Sequence, residues 1–202
     1  AIDWGKVKQA GVEFAMIRAG NRGYGQAGNL VEDPRFVENM RGAISNGIEV
    51  GVYIYSQAIT ESEAIEEADL AVRLIRENGF SNNITYPIVI DTESAPKGTN
   101  GRADGLTKEQ RTRIVKAFCE RIKQYGYTPM IYANKWWLDG SLDMNQLNGY
   151  DVWVAQYTGT TDPINNNSSY NGRHEIWQYS DSGTIDGISG NVDLNICYKK
   201  YF

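Results

Sequence analysis

The segment Tyr86-Pro87-Ile88-Val89-Ile90-Asp91-Thr92-Glu93 ends a short apolar run in two carboxylates, two residues apart. An apolar run of this length reads as a buried, parallel strand. Side chains alternate along a strand, so Asp91 and Glu93 point to the same side, roughly 6.6 Å apart at strand rise. The C-terminal lip of a buried strand is where α/β folds place their chemistry. Two close acids that cannot both ionise freely supply a proton donor beside a charge stabiliser. The spacing alone fits equally a solvated strand end at which Asp-Thr-Glu merely starts a loop.

Other chemistries find little support. A net charge of -5 and the lack of any basic run argue against a nucleic-acid partner. No apolar run is long enough to insert into a membrane, and no signal peptide is recognisable. Cys119 and Cys197 lie far apart and read as buried thiols rather than a disulfide or a nucleophile. The single histidine, His174, excludes a multi-His metal site and disfavours a His-based triad. Carboxylates are the expected actors, with no metal or cofactor. The 13 Tyr and five Trp suit a core, and they also suit sugar rings, whose C–H faces pack on π surfaces.

The elements that would position the acids alternate between strand and helix. Strands are predicted at Phe14–Arg18, Val50–Ser56, Tyr86–Asp91, Pro129–Ala133, Val152–Gln156, Glu175–Tyr179 and Val192–Tyr198. A helix-like segment, Trp4–Ala10, opens the chain. Asp33-Pro34 opens the next helix, which Gly47 closes. Capping boxes at Thr60–Glu63 and Thr107–Gln110 start helices that end at Gly79 and Gly126. Lys135–Leu138 is a short helical turn, after which helices thin out and the Asp162–Gly172 stretch is a turn-rich loop. Residues 1–202 read as a single domain with no repeat. Alternating elements imply a parallel sheet. Seven strands fall one short of a closed eight-stranded barrel, which would need one more ahead of Ala1. An open doubly wound sheet would not, but no Gly-rich phosphate fingerprint follows any strand.

Eight segments in order carry a resemblance. They are Ile2-Asp3-Trp4, Phe14-Ala15-Met16-Ile17-Arg18-Ala19-Gly20, Gly51-Val52-Tyr53-Ile54-Tyr55-Ser56, Ile90-Asp91-Thr92-Glu93, Ile131-Tyr132-Ala133-Asn134, Trp153-Val154-Ala155-Gln156-Tyr157, Trp177-Gln178-Tyr179-Ser180 and Gly190-Asn191-Val192-Asp193-Leu194-Asn195. Together they resemble the glycoside hydrolase family 25 lysozymes, the Chalaropsis-type N-acetylmuramidases. The resemblance implies an α/β fold, an irregular TIM-like (β/α) barrel with about five helices and a helix-poor C-terminal half. It also implies hydrolysis of the β-1,4 bond between N-acetylmuramic acid and N-acetylglucosamine in peptidoglycan, by an exported or phage-released protein acting at the cell wall. By position Glu93 matches the family's general acid, Asp91 its neighbouring carboxylate, and Asp193 a further acid of the pocket. The family's usual first strand, with an Asp-Val-Ser-like motif and a site Asp, has no counterpart here. Asp3 matches a later aspartate and does not fill that role. An incomplete barrel would expose two strand edges and invite a strand-exchanged dimer.

General chemistry agrees with these roles, since glycoside cleavage needs a protonated carboxyl at the leaving oxygen and a group that stabilises an oxocarbenium-like centre. A Glu beside an ionised Asp on a desolvated strand end has its pKa raised into the useful range. For substrate contacts, Tyr53 and Tyr55 alternate on one strand and share a face. Tyr132 and Asn134 end another strand and offer a phenol and an amide to sugar hydroxyls. Of Trp153, Gln156, Tyr157, Trp177, Gln178 and Tyr179, about half must be packing because strand residues alternate sides; Gln156, Tyr157 and Gln178 are assigned to substrate. Arg18 is expected to pair with an internal acid rather than with a muramyl carboxylate. Of Trp136 and Trp137, at least one ring is expected to be buried. The acid-rich Glu61–Asp69 stretch reads as a solvated helix face rather than a metal site. The expected function is a peptidoglycan muramidase; the rival is a catalytically impaired, glycan-binding relative lacking the first-strand Asp.

Overall fold

The computed structural model describes residues 1–202. Its elements run α1 (Trp4–Gln9), β1 (Phe14–Arg22), β2 (Leu30–Glu32), α2 (Phe36–Ser45), β3 (Glu49–Tyr55), α3 (Glu61–Glu77), β4 (Ile84–Asp91), α4 (Lys108–Gln124), β5 (Pro129–Asn134), α5 (Lys135–Gly140), β6 (Asp151–Ala155), β7 (Ile176–Gly183) and β8 (Val192–Cys197). One eight-stranded sheet has the order β2-β1-β3-β4-β5-β6-β7-β8. The run from β1 to β7 is parallel, and β2 and β8 pair antiparallel at the two edges. The sheet curls into an open barrel in which β1 and β8 do not pair. The seven expected strands are present; the eighth, β2, follows a Gly/Asn-rich stretch after β1 and is not among those expected. No helix is long and apolar enough to cross a membrane.

Strand alternation sorts the apolar residues into two cores. Outward-facing Ile17, Val52, Ile54, Ile88, Ile90, Ile131, Val152, Val154 and Trp177 pack beneath the helices. Inward-facing Val89, Met130, Tyr132, Trp153 and Ile176 fill the barrel with Phe14, Met16 and Tyr53. At the floor Phe14 stacks on Tyr86 at 4.5 Å. Gly51 is required there, since a Cβ would stand 2.6 Å from Met16 Cε and 2.8 Å from Pro87 O. Pro87 is tolerated in a central strand because the β3–β4 register shifts beside it, between Val50 and Val52. Past α5 no helix covers the sheet, and Tyr170, from the long β6–β7 loop, packs in the outer core with Trp177.

The caps are nearly those expected. Thr107 and Gln110 form a complete capping box at α4. Thr60 accepts from Glu63 N, but the Glu63 carboxylate accepts from Ile59 N and is held by Arg102. α2 begins at Phe36 with Arg35 as N-cap, while Asp33 accepts from Arg35 N just ahead of it.

One expectation fails at a single residue of the Glu61–Asp69 stretch. Glu61 and Glu66 are exposed as a solvated face requires, but Glu67 lies on the apolar stripe of α3 with Ala64, Ala68, Ala71 and Ile75 and has no exposed surface. Arg22 from β1 donates to Glu67 at 2.9 Å, to the Gly28 and Glu63 carbonyls at 2.7 and 2.8 Å, and to Glu66 at 3.0 Å. Desolvation outweighs even this pairing and pushes the Glu67 carboxyl up to about 7. Replacing Arg22 with Met leaves Glu67 buried without its cation, at an expected cost of about 3–5 kcal/mol. A raised folded-state pKa contributes stability below the unfolded value and loses it as pH rises through the folded value. Urea unfolding should therefore show the Arg22→Met deficit widening from mildly acid to mildly alkaline pH.

Candidate active site

Parallel register builds the site as a row. Tyr55 on β3 lies beside Asp91 on β4, Asp91 beside Tyr132 on β5, and Tyr132 beside Trp153 on β6. In-register neighbours on a parallel sheet point to the same side, so this row faces the barrel interior at the C-terminal ends of the strands. The backbone around Asp91 is pinned on both sides, with Ser56 N donating to Asp91 O at 2.9 Å and Thr92 N to Tyr132 O at 3.0 Å. Thr92 turns away, and its hydroxyl accepts from Trp137 Nε1 at 3.3 Å. That alternation returns Glu93 to the side of Asp91.

Asp91 is buried, and its Oδ1 has no hydrogen-bond partner. Burial pushes its carboxyl well above the usual range, and the nearby Glu93 and Asp193 charges add to this, while Arg18 opposes it. Glu93 is half-buried and is also raised, first by desolvation and then by Asp193. Asp193, from β8, is raised by desolvation and by Asp181. Asp91 and Glu93 therefore hold a proton together above the ordinary carboxylate range. Burial gives the deeper Asp91 the stronger hold, whereas the sequence reading expects Asp91 ionised beside a protonated Glu93. The three acids are not arranged as a group able to hold a metal ion.

Aromatic groups wall the acids. Tyr132 packs against Trp153 at 4.6 Å, and Tyr53 meets the same indole edge-on at 6.4 Å. The Tyr132 and Tyr157 hydroxyls both donate to Gln178 Oε1, at 2.8 and 2.7 Å. Trp153 Nε1 donates to Asn195 on β8 at 2.8 Å. Burial raises the Tyr53 and Tyr157 phenols to about 12, so they stay neutral donors. Tyr55 receives a bond from Gln57 Nε2 at 3.1 Å and meets Tyr24 edge-on at 5.9 Å. The cleft has a volume of about 1700 Å³ and continues between β1 and β8, with Tyr53, Tyr55, Asp91, Glu93, Tyr132, Gln178 and Asp193 all on its lining.

Two of the expected substrate contacts also serve the fold. The Asn134 side chain is the N-cap of α5, accepting from Trp137 N at 2.9 Å. Gln156 bonds Ser169 through both ends of its amide and so anchors the β6–β7 loop. Trp177 is buried in the outer core, its Nε1 donating to Gln156 O. Trp136 is exposed, while Trp137 is partly buried with Arg111 over its ring at 4.4 Å. Both cysteines are free, Cys119 buried and Cys197 half-buried. Sequence reasoning missed Tyr24, whose only local signal is a Gly-rich loop, and Asn195, although the Gly190–Asn195 segment was noted. It also missed Arg102, which grips Glu63 with both terminal nitrogens at 2.8 and 2.9 Å and reaches the Gln57 carbonyl, fastening the loop after Glu93 to the start of α3.

A buried carboxylate with an orphaned oxygen is a liability at neutral pH. Because the folded-state pKa of Asp91 lies above the unfolded value, its favourable contribution is full in acid and lost as pH rises. Asp91→Asn mimics the protonated form, so it should stabilise the protein at neutral pH by about 1–3 kcal/mol. That gain should shrink towards acid pH in urea titrations, although the substitution removes a site carboxylate.

The model of the glycosyl hydrolases family 25 matches residues 1–188. An uncharacterised Escherichia coli protein, YegX, is 30% identical over 200 residues, spanning 96% of this chain and 64% of that protein. An autolytic lysozyme of Clostridium acetobutylicum is 27% identical over 195 residues, spanning 96% of this chain and 52% of its own length. The chain thus spans between half and two thirds of these curated relatives. Its fold is similar to that of the modular autolysin LytC from Streptococcus pneumoniae, solved in complex with a synthetic peptidoglycan ligand. That match has a TM-score of 0.79 and 27% identity, and covers 97% of this chain and 43% of the other. A bacterial lysozyme from Streptomyces coelicolor matches with a TM-score of 0.74 and 28% identity, over 99% of this chain and 88% of that one. With the family's pattern running through nearly the whole length and the acids gathered at the strand ends, the chain belongs to the glycosyl hydrolases family 25.

Proposed function

We propose that the chain is the catalytic domain of a peptidoglycan muramidase, cleaving the β-1,4 bond between N-acetylmuramic acid and N-acetylglucosamine. The observation that carries this reading is the cluster of Asp91, Glu93 and Asp193, with their proton affinities raised, inside an aromatic-walled cleft. Membership in the family and likeness to proteins named as lysozymes and autolysins support it.

In this reading Glu93, nearer the solvent than Asp91, protonates the glycosidic oxygen as the C1–O bond breaks. Asp91 stands behind it, and desolvation together with the Asp193 charge raises the proton affinity of Glu93. Positive charge develops at C1 and the ring oxygen, and the Asp193 carboxylate, on β8, offsets it. Water completes the cleavage at C1 and returns a proton to the dyad. Tyr53, Tyr55, Tyr132 and Tyr157 supply ring faces and neutral hydroxyls to the sugars, with Gln178 fixing two of them. A glycan-strand substrate places the working protein outside the membrane, at the cell wall.

The test is digestion of purified peptidoglycan, with released fragments read by mass spectrometry after borohydride reduction. Fragments ending in reduced muramic acid are expected, and Glu93→Gln should lower their release by about 10²–10⁴-fold while pull-down on the same peptidoglycan persists. Reduced glucosamine ends would refute the bond assignment. Pull-down without release by the unaltered chain would mean that it is a glycan binder.

A further inference from the structure

Arg18 is only partly explained by its pairing. It lies on β1 facing the interior, on the lining of the same cleft as Asp91 and Glu93. Its Nε donates to Asp33 Oδ2 at 2.6 Å, and Asp33 is itself fixed by Arg35 N on its other oxygen. Neither terminal nitrogen of Arg18 donates to a protein acceptor, and about half of the side chain, 49%, remains exposed. A guanidinium anchored through Nε presents its two terminal nitrogens as a preset fork, the geometry that recognises a carboxylate.

Its surroundings make that fork unusual. The chain is acidic overall, and the cleft gathers Asp91, Glu93 and Asp193. The other cations on the lining are Lys8, Lys199 and Lys200. Lys8 bonds the Gly47 carbonyl, just ahead of β3, and Lys199 bonds Asp151, the first residue of β6, so both belong to the opposite end of the barrel. Arg18 is thus the guanidinium that an anionic ligand meets beside the acids. Tyr24 and Tyr53, close enough to act on its charge, flank it with apolar ring surface.

We infer that Arg18 is a specificity-determining residue, its free terminal nitrogens taking a carboxylate on the muramyl side of the glycan and so separating muramyl from uncharged amino-sugar polymers. This rests on the muramidase reading and deepens it. An uncharged chitin strand offers the fork nothing, whereas a muramyl residue carries a carboxylate on its lactyl arm or, where that arm is amidated, on the attached peptide. Without the fork, such a ligand would enter an acidic cleft against like charge.

Calorimetry in a Glu93→Gln background, which removes turnover, tests this with four probes. They are the N-acetylglucosaminyl-N-acetylmuramyl tetrasaccharide with free lactyl groups, the same sugar with lactyl methylamides, the same sugar carrying an acidic dipeptide, and chitotetraose. A carboxylate-bearing probe should bind about tenfold tighter than the methylamide, and Arg18→Gln should abolish that margin while leaving the methylamide and chitotetraose unchanged. A margin confined to the dipeptide probe assigns the carboxylate to the peptide; one seen with free lactyl assigns it to the sugar. Arg18→Lys, which keeps the charge without the fork, should retain part of the margin and serves should Arg18→Gln fail to fold. Equal weakening of all probes by Arg18→Gln, or no carboxylate margin before substitution, would overturn the inference and leave the muramidase reading intact. Failure to bind any muramyl probe would overturn both.

Discussion

The arrangement turns on a carboxyl group that the barrel buries without satisfying. Asp91 occupies the last position of β4, between Tyr55 and Tyr132 in register, with one oxygen lacking any partner. An ionised carboxylate there is costly, so burial raises the proton affinity of the group. The desolvated row is what raises the proton affinity, and the apolar interior beneath it is what makes the row desolvated. The interior packing of Val89, Met130, Trp153 and Ile176 is therefore part of the acid–base chemistry as well as of stability.

The strand ends bearing these acids are held by a second set of charges, one pair buried and one partly buried. Arg22 ties β1 to α3 through Glu67, and Arg102 ties the loop after Glu93 to Glu63 on the first turn of the same helix. Each guanidinium also satisfies a loop carbonyl, Gly28 or Gln57. Buried pairs of this kind add little net stability, but removing one partner strands the other. They favour one arrangement of the loops over many, which a site needing acids at defined positions requires.

Much of the architecture is legible in local pattern. Apolar runs at β3, β4, β5 and β6, the threonine caps of α3 and α4, and the thinning of helices after Leu138 are each consequences of near-neighbour chemistry. β2 escapes notice because three residues beside a Gly-rich loop carry no period, and they become a strand only when β1 offers its edge. Glu67 misleads for the opposite reason. Its acidic neighbours suggest solvent, but its place in the 64-68-71-75 stripe dictates burial, and its cation comes from 45 residues away.

In the site, the sequence by itself determined which chemistry is available: two carboxylates on one side of a strand end, few groups for metal or histidine chemistry, and an abundance of aromatic rings. Alternation and residue type suffice for that. Only the tertiary structure decided which oxygens lie out of water, that the Asn134 carbonyl oxygen caps a helix and the Gln156 amide anchors a loop, and that Tyr132 and Tyr157 meet on Gln178. It also brought Arg18 and Asp193 to the acids from strands far apart in the chain. Proton affinity and partner choice depend on distances through space between residues remote in sequence, and those distances exist only once the sheet has curled.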